Sequence, residues 1–127
     1  MFSWLNPIVY VQVEQNTFVL LHAQSNNQHT AKSATPFANS RLAVANFKVA
    51  ESFLKESLVA VLPRSIFRVS PTVVMHQRYL SEGGLSQVEE RVLNELGYGA
   101  GARKVYLWQG SDLTTDKLLN KGYIGGA

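Results

Sequence analysis

His22, His29 and His76 are the only histidines in this 127-residue chain, and no cysteine accompanies them. Their separations fit no zinc-binding pattern, so no metal ligand set is expected, and each histidine reads as hydrogen-bonded or solvated. Glu89 and Glu90 are adjacent carboxylates, but neighbouring helical positions point apart, which rules out an acid–base dyad. The run Gly97-Tyr98-Gly99-Ala100-Gly101 invites comparison with a nucleotide loop. A dinucleotide fingerprint follows a strand and opens a helix, whereas this run follows a helix and opens a strand, so it reads as a helix end. No Gly-x-Ser-x-Gly elbow is present, and the serines read as turns and caps. Arg64, Arg68 and Arg78 lie in the acid-free stretch 57–81, the most basic part of the chain, and form the candidate contact for an anion or RNA. Dense basic surface or a stacking platform is missing, so nucleic acid is not the expected partner. No catalytic, cofactor-binding or metal-ligating residue emerges, and the chain does not read as an enzyme.

The elements that would position these residues follow from periodicity. Ile8 to Val13 and Thr17 to Ala23 alternate as two strands of an N-terminal hairpin, with Asn16 the turn residue best able to take a left-handed backbone. His29 to Thr35 suggests a weaker third strand. A long helix is expected from Asn39 or Ser40 to Leu62, with Ala43, Phe47, Ala50, Phe53, Leu54, Leu58 and Val61 buried and Pro63 ending it. Thr72 to Gln77 reads as a strand. Ser86 and Glu89 form a capping box for a helix whose apolar stripe is Leu85, Val88, Val92, Leu93 and Leu96. Gly97, Gly99 and Gly101 then end it, and Val105 to Trp108 is a short buried strand. Asp112 is expected to cap a last helix through Leu118 and Leu119, and Gly122 to Ala127 to fray.

This order is α/β, with a mixed sheet, a hairpin at its start and about three helices. Right-handed crossovers should lay the later strands parallel to the first. The length suits one domain over residues 1–127, with a core from about 8 to 119. The hydrophobic share of 46% and charged share of 17% are those of a globular protein. Twelve Lys and Arg are interspersed with nine acids, so the net charge of +3 does not call for a polyanion. No run approaches the ~18 apolar residues of a spanning helix. The first residues lack a signal peptide's basic start, and with no cysteines the expected location is cytoplasmic. Phe2, Trp4 and Leu5 are expected to pack under the sheet.

The unit from Val88-Glu89-Glu90-Arg91 through Gly99-Ala100-Gly101-Ala102-Arg103 to Val105-Tyr106-Leu107 resembles the helix, glycine turn and strand in subdomain IA of the bacterial actin family MreB. Asn46 to Leu54 and Pro71-Thr72-Val73-Val74 resemble further MreB segments. Closer still is the small bacterial family of YjaA, whose motifs are matched by Ala38-Asn39-Ser40-Arg41-Leu42, Ala45 to Glu51, Pro63-Arg64-Ser65 and Glu82 to Arg91. The match spans roughly residues 8 to 109. The resemblance implies a ribonuclease-H-like sheet, the first lobe of an actin-type ATPase, in a stress-response setting.

Departures from the actin pattern bear on activity. Actin-like ATPases place an Asp and glycines after the first strand, where amides cradle phosphate and the carboxylate orders the metal's water. Val11 to Thr17 contains neither residue, although Glu14 could serve a relic ATP binder. Trp108-Gln109-Gly110 lacks the carboxylate found at the corresponding strand end. The expected function is therefore noncatalytic association with another protein or with a second copy, through a surface around Tyr98 and Trp108, without a cofactor.

Overall fold

The computed structural model describes residues 6–66 and 68–125; the apolar start at Phe2, Trp4 and Leu5 lies outside them. Five strands and three helices alternate as β1 (Ile8–Glu14), β2 (Thr17–His22), β3 (Asn27–Lys32), α1 (Phe47–Val61), β4 (Thr72–Gln77), α2 (Gln87–Gly99), β5 (Lys104–Leu107) and α3 (Thr115–Leu119). The strands form one open sheet in the order β3-β2-β1-β4-β5. Strands β1 to β3 pair antiparallel, whereas β4 and β5 run parallel to β1, giving the mixed α/β sheet expected from the sequence.

Valine and isoleucine alternation drives β1 and gives it two buried faces. Val9, Val11 and Val13 join Phe18, Leu20, Val73, Met75 and Val105 under α1 and α2. Ile8, Tyr10 and Val74 point to the other face, where Trp108, Leu113, Leu118 and Tyr123 cover them. Leu54 and Leu58 are buried over the first face, and Phe47 is partly buried beside them. No helix among the described residues is long and apolar enough to cross a membrane.

Asn16 organises the hairpin turn. Its φ of +54° is the left-handed conformation that an Asn tolerates. Its side-chain oxygen accepts from the amides of Phe37 and Ala38 at 2.9 and 2.7 Å, and its carbonyl accepts from Ser33. The turn thus holds the loop after β3 and seats Phe37, whose ring stacks on Phe18 at 4.8 Å.

Helix α1 begins later than its apolar spacing predicts. Asn39 accepts from the amides of Arg41 and Leu42 at 2.9 and 2.7 Å, a local turn that competes with helix. Asn46, not Asn39 or Ser40, is the N-cap and accepts from the Val49 amide. The third strand is also displaced, because its register is set by pairing Leu20 with His29 and Phe18 with Ala31.

The box of Ser86 and Glu89 caps α2 as expected, with Ser86 accepting from Glu89 N at 3.1 Å and Glu89 accepting from Ser86 N at 2.9 Å. Two other expectations change. Gly97 and Gly99 lie inside α2, and the chain leaves the helix through Ala100 and Gly101, whose φ is +112°. A Cβ on Gly97 would come within 2.6 Å of Val105, so this glycine lets α2 lie close on β5. Val88 is 71% exposed and does not join the buried stripe, which is Leu93, Leu96 and Gly97. Finally, Thr114 rather than Asp112 caps α3, and Tyr123 is buried against Tyr106, so the chain stays packed past residue 120.

Candidate functional site

In open α/β sheets the ligand-binding crevice lies outside the carboxyl ends of the parallel strands. Here that position is formed by the ends of β1 and β4 and by the segments that follow β4 and β5. Parallel pairing sets Gln12 beside His76 and Val13 beside Gln77, so the last residues of both strands emerge together. A cavity of about 420 Å³ opens there, lined by His76, Gln77, Ser81, Gly84, Gln109 and Gly110.

The polar groups around it are engaged with one another. The Tyr10 hydroxyl accepts from the Leu113 amide at 3.2 Å and from the Gln12 side chain at 3.4 Å. Its own proton is therefore directed to His76 Nδ1, 2.5 Å away, which leaves the imidazole proton on Nε2. Burial lowers the His76 pKa, and the nearby Asp112 carboxylate only partly opposes this, so the ring is neutral at pH 7. Burial likewise raises the Tyr10 pKa. Gln77 donates to the Tyr79 carbonyl at 3.1 Å, Gln109 accepts from the Leu85 amide at 3.0 Å, and Ser81 donates to the Arg78 carbonyl. Among the described residues no base is hydrogen-bonded to the Ser81 hydroxyl, which closes a turn.

Arg78 spans the rim. Its guanidinium meets Glu14, the last residue of β1, at 3.4 Å and Asp112, beyond β5, at 3.1 Å. His76 Nδ1 stands 3.9 Å from the same Asp112. Side chains at 42%, 36% and 55% exposure make these ion pairs weak individually, about 0–1 kcal/mol each. Their effect is positional, since they put a cation between the two acids. Among the described residues, no three His, Asp or Glu side chains gather as ligands around one point.

The residues singled out in the sequence are distributed differently from expectation. Arg64 and Arg68 lie in the loop entering β4 and Arg78 leaves its far end, so six residues of strand, roughly 20 Å at about 3.3 Å per residue, separate them. The three arginines do not form one anion contact. Trp108 is buried with Ile8, Tyr10 and Leu118, and its indole N–H donates to the Ser111 carbonyl at 2.8 Å. It is a core residue on the sheet face opposite α2. Tyr98, on α2, is 45% exposed, so the two aromatics do not share a surface. The Tyr10, His76 and Asp112 cluster carried no signal in the sequence, since its members are 66 and 36 positions apart and only the parallel register unites β1 with β4.

No protein-family model matches the chain. It is 34% identical over 102 residues to a protein of Escherichia coli (strain K12) described as uncharacterized protein YjaA, a match covering 76% of this chain and 79% of that one. On that similarity, which runs through most of both sequences, the chain belongs to the YjaA family.

Proposed function

We propose that this protein is a noncatalytic, single-lobe relative of actin- and MreB-type ATPases that works by associating with protein, in the stress-response setting its family resemblance implies. The strand order β3-β2-β1-β4-β5, with β2 alone running against the rest, supports the ribonuclease-H-like reading. The observation that carries the noncatalytic reading is Arg78 bridging Glu14 and Asp112 at the strand ends. An actin-type site needs a carboxylate free to order a divalent cation's water, and amides free to cradle phosphate. Here the acid ending β1 is paired with a cation, and the turn beyond it is tied by Asn16 to residues 33, 37 and 38.

A thermal melt with millimolar Mg-ATP tests this. A ligand at ~100 times its dissociation constant would add about 2.7 kcal/mol of stability. The expected result is an unchanged melting temperature. A rise that depends on Mg and disappears in Glu14→Gln would restore the relic ATP-binding reading.

A further inference from the structure

The solvent face of α2 has a pattern that packing inside this chain does not explain. Val88, Arg91, Glu95 and Tyr98 recur at intervals of three, four and three residues, which places them on one stripe. That stripe lies opposite the buried Leu93, Leu96 and Gly97. Val88 is 71% and Tyr98 45% exposed, so both ends of the stripe are apolar and open to water. Arg91 and Glu95 between them are exposed and make no ion pair within 4 Å among the described residues. Arg before Glu at this spacing is the less favourable order for pairing within a helix.

The stripe is complementary to itself when reversed. If two α2 helices pack antiparallel about a twofold axis at residue 93, Val88 faces Tyr98 of the other copy and Arg91 faces Glu95. The symmetry repeats both contacts, giving two apolar layers outside two opposite-charge layers. A parallel arrangement would instead set Arg91 against Arg91 and Glu95 against Glu95. We infer that α2 is a self-association surface, on which a second copy of this chain docks antiparallel through Val88, Arg91, Glu95 and Tyr98. This deepens the protein-association reading and rests on it. A two-helix contact with charged central layers is small, so the dimer is a reversible one that charge tunes.

Two sets of variants test the pairing by sedimentation equilibrium and cross-linking. Arg91→Glu alone, or Glu95→Arg alone, places like charges opposite one another and should weaken dimerisation about tenfold or more. The double reversal R91E with E95R rebuilds both pairs and should restore it to near the wild-type value. Because the chain has no cysteine, V88C together with Y98C should form an intermolecular disulfide on oxidation. V88C alone should not, because antiparallel packing sets the two copies of residue 88 ten residues, or about 15 Å, apart. Circular dichroism checks that each variant stays folded. A wild type monomeric at millimolar concentration, a double reversal no better than either single one, or ready cross-linking of V88C alone would overturn the pairing. None of these results touches the nucleotide titration, which tests the noncatalytic reading separately.

Discussion

Along its inner face α2 buries Leu93, Leu96 and Gly97 against β5 and α1, while along its outer face Val88 and Tyr98 stand in water beside Arg91 and Glu95. Thirteen residues therefore carry two patterns of different strictness. The inner one is fixed by close approach, since a Cβ at position 97 would come within 2.6 Å of the Val105 side chain on β5. The outer one contains apolar groups that folding does not require. On this stripe the exposed Val88 and Tyr98 flank the charged pair Arg91 and Glu95, and the self-complementary order of these four residues is what the proposed docking rests on.

The sharpest way to break this division is to truncate both faces. Leu93→Ala should lower stability by about 2–5 kcal/mol in denaturant melts, because the side chain is fully buried. Gly97→Ala sets two effects against each other. Better helix propensity is worth about 1 kcal/mol, and overpacking against the β-branched Val105 costs about 1–3 kcal/mol. The clash should win, giving a net loss that Val105→Ala partly relieves. Ser86→Ala, at the cap shared by both faces, should cost about 0.5–2 kcal/mol and leave the helix otherwise in place. An unchanged unfolding midpoint would remove the cap from the account.

A smaller contribution should follow pH. Burial lowers the folded pKa values of His76 and His22, so the stability they contribute is complete above the ordinary histidine value of about 6.5 and lost as pH falls below it. Around His76 the charged groups are Asp112, Arg78 and Glu14. Glu89 is also lowered, chiefly by the Ser86 amide, so its share is lost only below the ordinary glutamate range. Acid titration of the melting temperature should therefore show an early decline that His76→Gln reduces without abolishing, because His22 remains. On the outer face, Val88→Ala should change monomer stability by less than about 0.5 kcal/mol. A loss comparable to that of Leu93→Ala would show that the outer face belongs to the core after all.

Much of the fold is legible in the chain because local and global preferences agree there. Strand β4 falls on the β-prone run Thr72 to Gln77 and the helix α2 start on its Ser86 capping box, and β1 differs from its expected span by one residue at its end. Misreadings arise where a local hydrogen bond or a tertiary approach prevails. Asn39 diverts the chain into a turn although Ala43 sits at helical spacing, and Thr114 caps α3 while Asp112 turns to Arg78. Gly97 looks like part of a helix end because its reason, the close approach of Val105, lies elsewhere in the sequence. The candidate site is the least legible part. Tyr10 and His76 become neighbours through sheet register and Asp112 joins them through the segment after β5, and Trp108 looks like a surface anchor until the last segment folds over it.

Association of this protein, as proposed, does not depend on nucleotide. It is tested most directly by sedimentation equilibrium of the unmodified protein over a wide concentration range, with and without millimolar Mg-ATP. The expected mass rises reversibly from monomer to dimer along the same curve in both buffers. A monomer at every concentration, or a dimer that forms or dissolves only when Mg-ATP is added, would contradict it.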